Sequence, residues 1–120
     1  MPKMKPGQVC HVEIPAPNMK KTKTFYSKLF GWDCSREMGP TYCLFVDPSG
    51  QFGGGFDADA KPTKNGAVLF IEVDDIDKSL AAIKKAGGKV AKAKTEIGGG
   101  HGHFAYFNDP NGNRLGLHSA

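Results

Sequence analysis

Asp47-Pro48-Ser49-Gly50-Gln51-Phe52-Gly53-Gly54 and Asp109-Pro110-Asn111-Gly112-Asn113-Arg114-Leu115-Gly116 are the two stretches that decide how this chain folds. Each opens Asp-Pro-x-Gly, where proline presets φ at the first corner of a turn and glycine supplies the positive φ that closes it. Each follows an aromatic-rich run, Tyr42 to Val46 and Phe104 to Phe107, so each reads as a hairpin. The same turn twice in one chain makes an internal repeat the first hypothesis.

The sequence upstream of each turn also repeats. Cys10 to Ile14 alternates as a strand and leads past Asn18 into a helix from Met19 to Phe30, ending at Gly31. Val68 to Val73 leads past Asp74 into a helix from Asp75 to Ala86, ending at Gly87. Asn18 and Asp74 are N-cap residues, each thirteen positions before its C-terminal glycine. Phe25/Leu29 and Tyr26/Phe30 on one helix, and Ile76, Leu80 and Ile83 on the other, form single apolar stripes that face a core, with most lysines outside. One more strand, near Trp32 to Glu37 and Lys89 to Glu96, separates helix from hairpin. The chain is therefore α+β, two tandem βαβββ modules. Residues 1–7 read as a tail, 8–57 as module one, 58–66 as a linker and 67–120 as module two.

The 120 residues are one domain's worth. At 39% hydrophobic and 23% charged the balance is globular, and no run approaches the ~20 apolar residues of a membrane span. The net charge of +4 is carried mainly by lysines, and Arg36 and Arg114 are the only arginines, which argues against a nucleic-acid groove. Cys10, Cys34 and Cys43 form neither a disulfide framework nor a CxxC site, and alternation turns Cys10 into the core, where a thiol is inert. No secretory h-region follows Met1, so a cytoplasmic location is expected. The sixteen glycines cluster at Gly53-Gly54-Gly55 and Gly98-Gly99-Gly100, the mark of turns or of close approach to the backbone.

The paired modules, with Phe25-Tyr26-x-x-Leu29-Phe30-Gly31-Trp32 on the first helix and Asp-Pro-x-Gly before each last strand, resemble the vicinal oxygen chelate superfamily over about residues 8–118. That family includes glyoxalases, bleomycin and fosfomycin resistance proteins and extradiol dioxygenases. The resemblance implies curved half-barrel sheets around a cleft, a homodimer and, in metal-dependent members, a divalent ion held by His and Glu from the first and last strands of each module. His11, seven residues before Asn18, matches the first ligand position. Its counterpart in module two is Val68, or Ala67 if counted without a gap, and the last-strand positions, seven residues after each turn Asp, are Gly54 and Gly116. Three of the four lack a donor atom, so the expected cofactor is none.

Taken by faces, the cleft wall carries His11, Glu13, Phe52, Gly54, Phe56, Val68, Phe70, Glu72, Arg114, Gly116 and His118. An apolar, aromatic lining with a few polar groups suits a small molecule, with Arg114 available to an anionic substituent. An equal alternative is that Phe52, Phe56 and Phe70 fill the space between sheets or form a dimer contact. Two functions follow: binding of a small hydrophobic or aromatic molecule without metal, or a metal-dependent lyase, isomerase or dioxygenase with a site rebuilt around His11 and His118. Metal-free acid–base catalysis by His11 and Glu13 is a third, for which the sequence names no residue to orient the imidazole. His101 and His103 read as part of a mobile glycine-rich loop at the rim.

Overall fold

A computed structural model describes residues 5, 6 and 8–120, so most of the expected tail, residues 1–7, lies outside the described residues. The chain divides into two compact units, residues 1–61 and 62–120, and the division falls inside the Ala58–Gly66 segment. Each unit has the expected strand, helix and three strands.

In the first unit these are β1 (Val12–Pro15), α1 (Met19–Phe30), β2 (Asp33–Glu37), β3 (Tyr42–Val46) and β4 (Gly53–Asp57). The sheet order is β1-β4-β3-β2, with β1 parallel to β4 and the other pairs antiparallel. Asn18 caps α1 by accepting from the Lys21 amide at 3.1 Å, and Gly31, at φ 70°, ends it in the left-handed conformation. Tyr26, Trp32, Phe45 and Phe56 stack under the helix, with Tyr26–Trp32, Trp32–Phe45 and Phe45–Phe56 centroids each 4.7 Å apart.

The second unit comprises β5 (Phe70–Glu72), α2 (Ile76–Lys85), β6 (Lys89–Glu96), β7 (His103–Asn108) and β8 (Arg114–Ser119), ordered β5-β8-β7-β6 with β5 parallel to β8. Ile76, Leu80 and Ile83 of α2 are buried, as are Ala105, Phe107, Leu115 and Leu117 of the sheet. The N-cap is Asp75, not Asp74: its carboxylate accepts from the Lys78 amide at 3.1 Å. Strand pairing runs on to Val73, whose N–H donates to the His118 carbonyl at 2.9 Å, which leaves Asp74 as the link between strand and helix.

Three further expectations are corrected. Cys10 is exposed, because β1 begins only at Val12 and Cys10 precedes the pleat that would bury it. Phe56 is not on an open wall: it is fully buried and pairs with Ile14 and Cys43 on the helix side of the sheet. Gly54 shares that side, paired with Val12 and Phe45. The cause is one residue in a turn. The β7–β8 turn closes over Asp109 to Asn113, whereas the β3–β4 turn closes over Asp47 to Phe52, each through a 2.8 Å bond from the Asp amide to the last residue's carbonyl. With a strand period of two, the extra residue flips every side chain counted from Asp47. The counterpart of Gly116 in module one is therefore Gly55.

Candidate functional site

Gly55 and Gly116 occupy equivalent places. Gly55 pairs with Glu13 on one side and Leu44 on the other; Gly116 pairs with Phe70 and Tyr106. Both lie on the sheet face turned away from the helix of their own unit. A ring lies over each. A Cβ at Gly55 would meet Tyr42 Oη at 2.0 Å and Cζ at 2.1 Å, and one at Gly116 would meet the Phe70 ring at 2.4 Å. Neither glycine has a positive φ, so it is the bare backbone that the structure uses there.

Tyr42, seated on Gly55, brings two of the sequence candidates together. Its hydroxyl donates to Glu13 Oε2 at 2.9 Å and lies 2.8 Å from His11 Nε2. A carboxylate only accepts, so the Tyr42 proton points to Glu13 and its oxygen accepts the His11 Nε2–H. Burial, and then the bond to Glu13, push the Tyr42 hydroxyl up to about 12, so it keeps its proton at neutral pH. His11 also lines a shallow depression of about 200 Å³ in the first unit, bordered by Cys10, Arg36, Leu44 and Phe52. Phe52 is 37% exposed and belongs to the turn rather than to β4. Gly54 offers this depression only its backbone.

The open face of the second unit is aromatic. Phe70 is 50% exposed, with its centroid 5.8 Å from that of Tyr106, which meets Phe104 edge-on at 5.4 Å. The Arg114 guanidinium lies over the Tyr106 ring, 5.2 Å from its centre, and is held there by bonds to the Lys64 carbonyl at 3.1 Å (Nε) and 2.6 Å (Nη2). His118 stands on the same face with both nitrogens engaged, Nδ1 with Glu72 Oε1 at 2.6 Å and Nε2 with the His101 carbonyl at 2.8 Å. Two acceptors require two N–H donors, which only the imidazolium has. The His101 carbonyl, and then Glu72, accordingly hold the His118 pKa above its ordinary value.

The glycine-rich segment Gly98 to Gly102 is a closed hairpin turn, with bonds from Ile97 N to Gly102 O (2.9 Å) and His101 N to Gly98 O (3.1 Å). Its link to the site is the backbone of His101. His103 lies in β7, paired with Glu96 and Ser119, and faces the other side of the sheet from His118. Val68 sits seven residues before the true N-cap Asp75 and adds no donor.

These residues do not fit a divalent ion. His118 has given both nitrogens away, Val68, Gly55 and Gly116 carry no donor side chain, and of these positions His11 alone keeps an open nitrogen, Nδ1, its Nε2 being bonded to Tyr42. Among the described residues no three His, Cys, Asp or Glu side chains come together, whereas a catalytic metal site needs at least three such ligands. Tyr42 is the member of the site that counting from motifs missed. Its one sequence signal is the glycine run that leaves it a bare strand to lie on.

Comparison with known proteins agrees with this architecture. The model of the Glyoxalase/Bleomycin resistance protein/Dioxygenase superfamily matches residues 8–117. A glyoxylase-like domain-containing protein of Didymella fabae is 31% identical over 114 residues, covering 89% of each chain. Two solved structures share the fold. One is a glyoxalase/bleomycin resistance protein/dioxygenase family enzyme of Burkholderia phytofirmans, with TM-score 0.74, 21% identity and coverage of 91% of this chain and 95% of that one. The other is the fosfomycin resistance protein FosX of Listeria monocytogenes with Mn(II) and sulfate, at TM-score 0.77, 16% identity and coverage of 95% and 90%. With its modules, turns and sheet order matched over nearly its whole length, the chain belongs to the glyoxalase/bleomycin resistance protein/dioxygenase superfamily.

Proposed function

We propose that the protein binds a small, flat hydrophobic or aromatic molecule, without a metal ion, on the open face of its second module. The observation that carries this reading is the exposed Phe70 ring laid over Gly116 beside Phe104 and Tyr106. Such a surface gains from being covered by a ring, and the cations Arg114 and His118 favour an anionic substituent on it. Covering the exposed half of Phe70 removes about 100 Å² of apolar area from water, worth about 2 kcal/mol. A homodimer and a cytoplasmic location belong to the same proposal, and light scattering at micromolar concentration tests the first of these.

The binding test is a fluorescence titration with 8-anilinonaphthalene-1-sulfonate after dialysis against EDTA. One site per chain is expected, weakened about 10- to 30-fold by Phe70→Ala, in line with that ~2 kcal/mol. Absence of binding, or binding that requires added Mn²⁺, overturns the proposal. Equal affinity in Phe70→Ala does the same.

A further inference from the structure

We infer that the ligand of the open face in the second module is a planar aromatic molecule carrying a phosphate monoester, whose second negative charge is selected by Lys89 and Lys92 of β6; this rests on the reading above that a flat molecule occupies that face. Lys89 and Lys92 are three residues apart, and on a regular strand an odd spacing puts two side chains on opposite faces. The register of β6 prevents this. Lys89 pairs with Asn108, Val90 with Phe107 and Lys92 with Tyr106, so one extra residue is taken up between Val90 and Lys92. Such a bulge turns the residues that follow it to the other face. Residues paired across neighbouring strands share a face. Both lysines therefore stand on the face of Tyr106 and Arg114, while Val90 stays with the buried Phe107 on the helix side.

The charges on the open face are unevenly placed. Three rows of paired residues cross it: one joins Lys89 to Arg114 through Asn108, the next runs from Lys92 through Tyr106 and Gly116 to Phe70, and the last ends in His118 and Glu72. Glu72, the one carboxylate among the paired positions of this face, is bound to His118 at 2.6 Å. Lys89, Lys92 and Arg114 take part in no ion pair among the described residues. The His118 end is thus balanced, and three cations gather toward the Arg114 end with the rings beside them.

The geometry then says what the rings and cations can hold together. The Tyr106 centre lies 5.8 Å from that of Phe70, and the Arg114 guanidinium lies 5.2 Å from the Tyr106 centre, so a group attached directly to a ring stacked on Phe70 is within its reach. Arg114 spends Nε–H and one Nη2–H on the Lys64 carbonyl, which leaves three of its five N–H bonds. A carboxylate or sulfonate brings one charge to this end. A phosphate monoester brings close to two at neutral pH, with three acceptor oxygens, and so matches three cations better. A unit charge about 8 Å from a cation in water gains about twofold in affinity at low salt. Each cation contributes that factor once for a monoanion and twice for a dianion, so three of them make the dianion about 10-fold the tighter.

The experiment compares 1-naphthyl phosphate with 1-naphthalenesulfonate, which have the same rings and different charge, by isothermal titration calorimetry at pH 8 and low salt after dialysis against EDTA. The phosphate should bind about 10-fold more tightly, and the preference should shrink as salt is added. In Lys89→Gln/Lys92→Gln it should fall to about twofold, the factor left by Arg114 alone. Both positions are exposed on β6, so the change removes charge without touching the core. Lys84→Gln/Lys85→Gln removes the same charge from the last turn of α2, on the other side of the sheet, and should leave the 10-fold preference intact. Phe70→Ala should weaken both ligands by the same factor, because their rings are identical. Equal affinity for the two ligands, or a preference that survives the loss of Lys89 and Lys92, overturns the inference and leaves the aromatic site standing. A preference lost equally in the α2 variant also overturns it, since the effect then belongs to overall charge. Binding of neither ligand overturns both the inference and the reading on which it rests.

Discussion

Replacing Gly55 with alanine tests the seat on which the His11–Tyr42–Glu13 arrangement rests. The new Cβ would lie 2.0 Å from Tyr42 Oη, 2.1 Å from Cζ and 2.6 Å from Cε2. Ordinary contact is about 3.5–4 Å, so the ring has to withdraw by more than an ångström, too far to keep bonds of 2.8 and 2.9 Å. A bond to a carboxylate contributes about 2 kcal/mol and one to an imidazole about 1 kcal/mol, discounted here because His11 and Glu13 are exposed and water replaces part of the loss. Alanine returns about 0.5–1 kcal/mol by restricting the unfolded chain, since the backbone at position 55 is open to any residue. The expected net loss is about 1–2 kcal/mol, a fall in Tm of roughly 4–8 °C for a chain of this size. Thermal unfolding by circular dichroism reads the single variants and a cycle with Tyr42→Ala. Without the ring, Gly55→Ala should be neutral or stabilising, a coupling of about 2 kcal/mol. The reasoning fails if Gly55→Ala melts with the unaltered protein, or if its cost persists unchanged in the Tyr42→Ala background.

The neighbouring glycine should behave differently. A Cβ at Gly54 would meet the Val12 carbonyl oxygen at 1.8 Å, a backbone atom that cannot rotate away. Gly54→Ala should therefore cost about 3 kcal/mol or more in the same melts, with no side-chain deletion to rescue it. Asp109 is buried in its turn and accepts from the Asn111 and Asn113 amides at 2.9 Å each and from Asn113 Nδ2 at 3.0 Å. Asp109→Ala strands those donors and should lower stability by about 3 kcal/mol in urea titrations, well beyond Asp47→Ala, whose carboxylate bonds, among the described residues, Ser49 alone at the exposed turn. The raised pKa of His118 means that its clasp on Glu72 and the His101 carbonyl is fully present below the unfolded-state value near 6.5 and is lost as pH rises through the higher folded value. Amide exchange in Gly98–Gly102, corrected for its intrinsic pH dependence, should therefore lose protection as pH rises through that range, and His118→Gln should remove the transition.

The order of strands and helices was legible because each signal for it is local. Asp-Pro-x-Gly turns, Asn18 ahead of Met19, glycines at helix ends and the Phe25/Tyr26 stripe all act within a few residues of themselves. Errors arose where one residue mattered. Asp74 and Asp75 are chemically the same, and only the length of strand pairing to His118 decides which of them caps α2. The six-residue closure at Asp47 put Gly54 and Phe56 on the helix side although the motif beside it repeats almost letter for letter. Cys10 failed by two residues of strand. Tyr42 was beyond reach for another reason: its partners His11 and Glu13 lie 31 and 29 residues away and meet it only through the β1-β4-β3 pairing. His101 contributes a carbonyl, and no side-chain pattern reveals that.

The two modules have taken the same vacancy in opposite directions. At Gly55 the ring arrives from the antiparallel neighbour β3 and carries a hydroxyl, which it delivers to a histidine and a carboxylate. At Gly116 the ring arrives from the parallel neighbour β5, has no polar atom, and remains half-exposed. The register makes Glu13 and Phe70 equivalent, since each is the β1 or β5 partner of its glycine. One exchange at that position therefore separates the modules: a carboxylate that can hold a tyrosine hydroxyl, or a phenyl ring that covers the glycine itself. In neither module can a longer side chain occupy the glycine position while the ring stays. The bare glycine and the ring over it are thus one structural feature in each module, polar at its tip in module one and wholly apolar in module two.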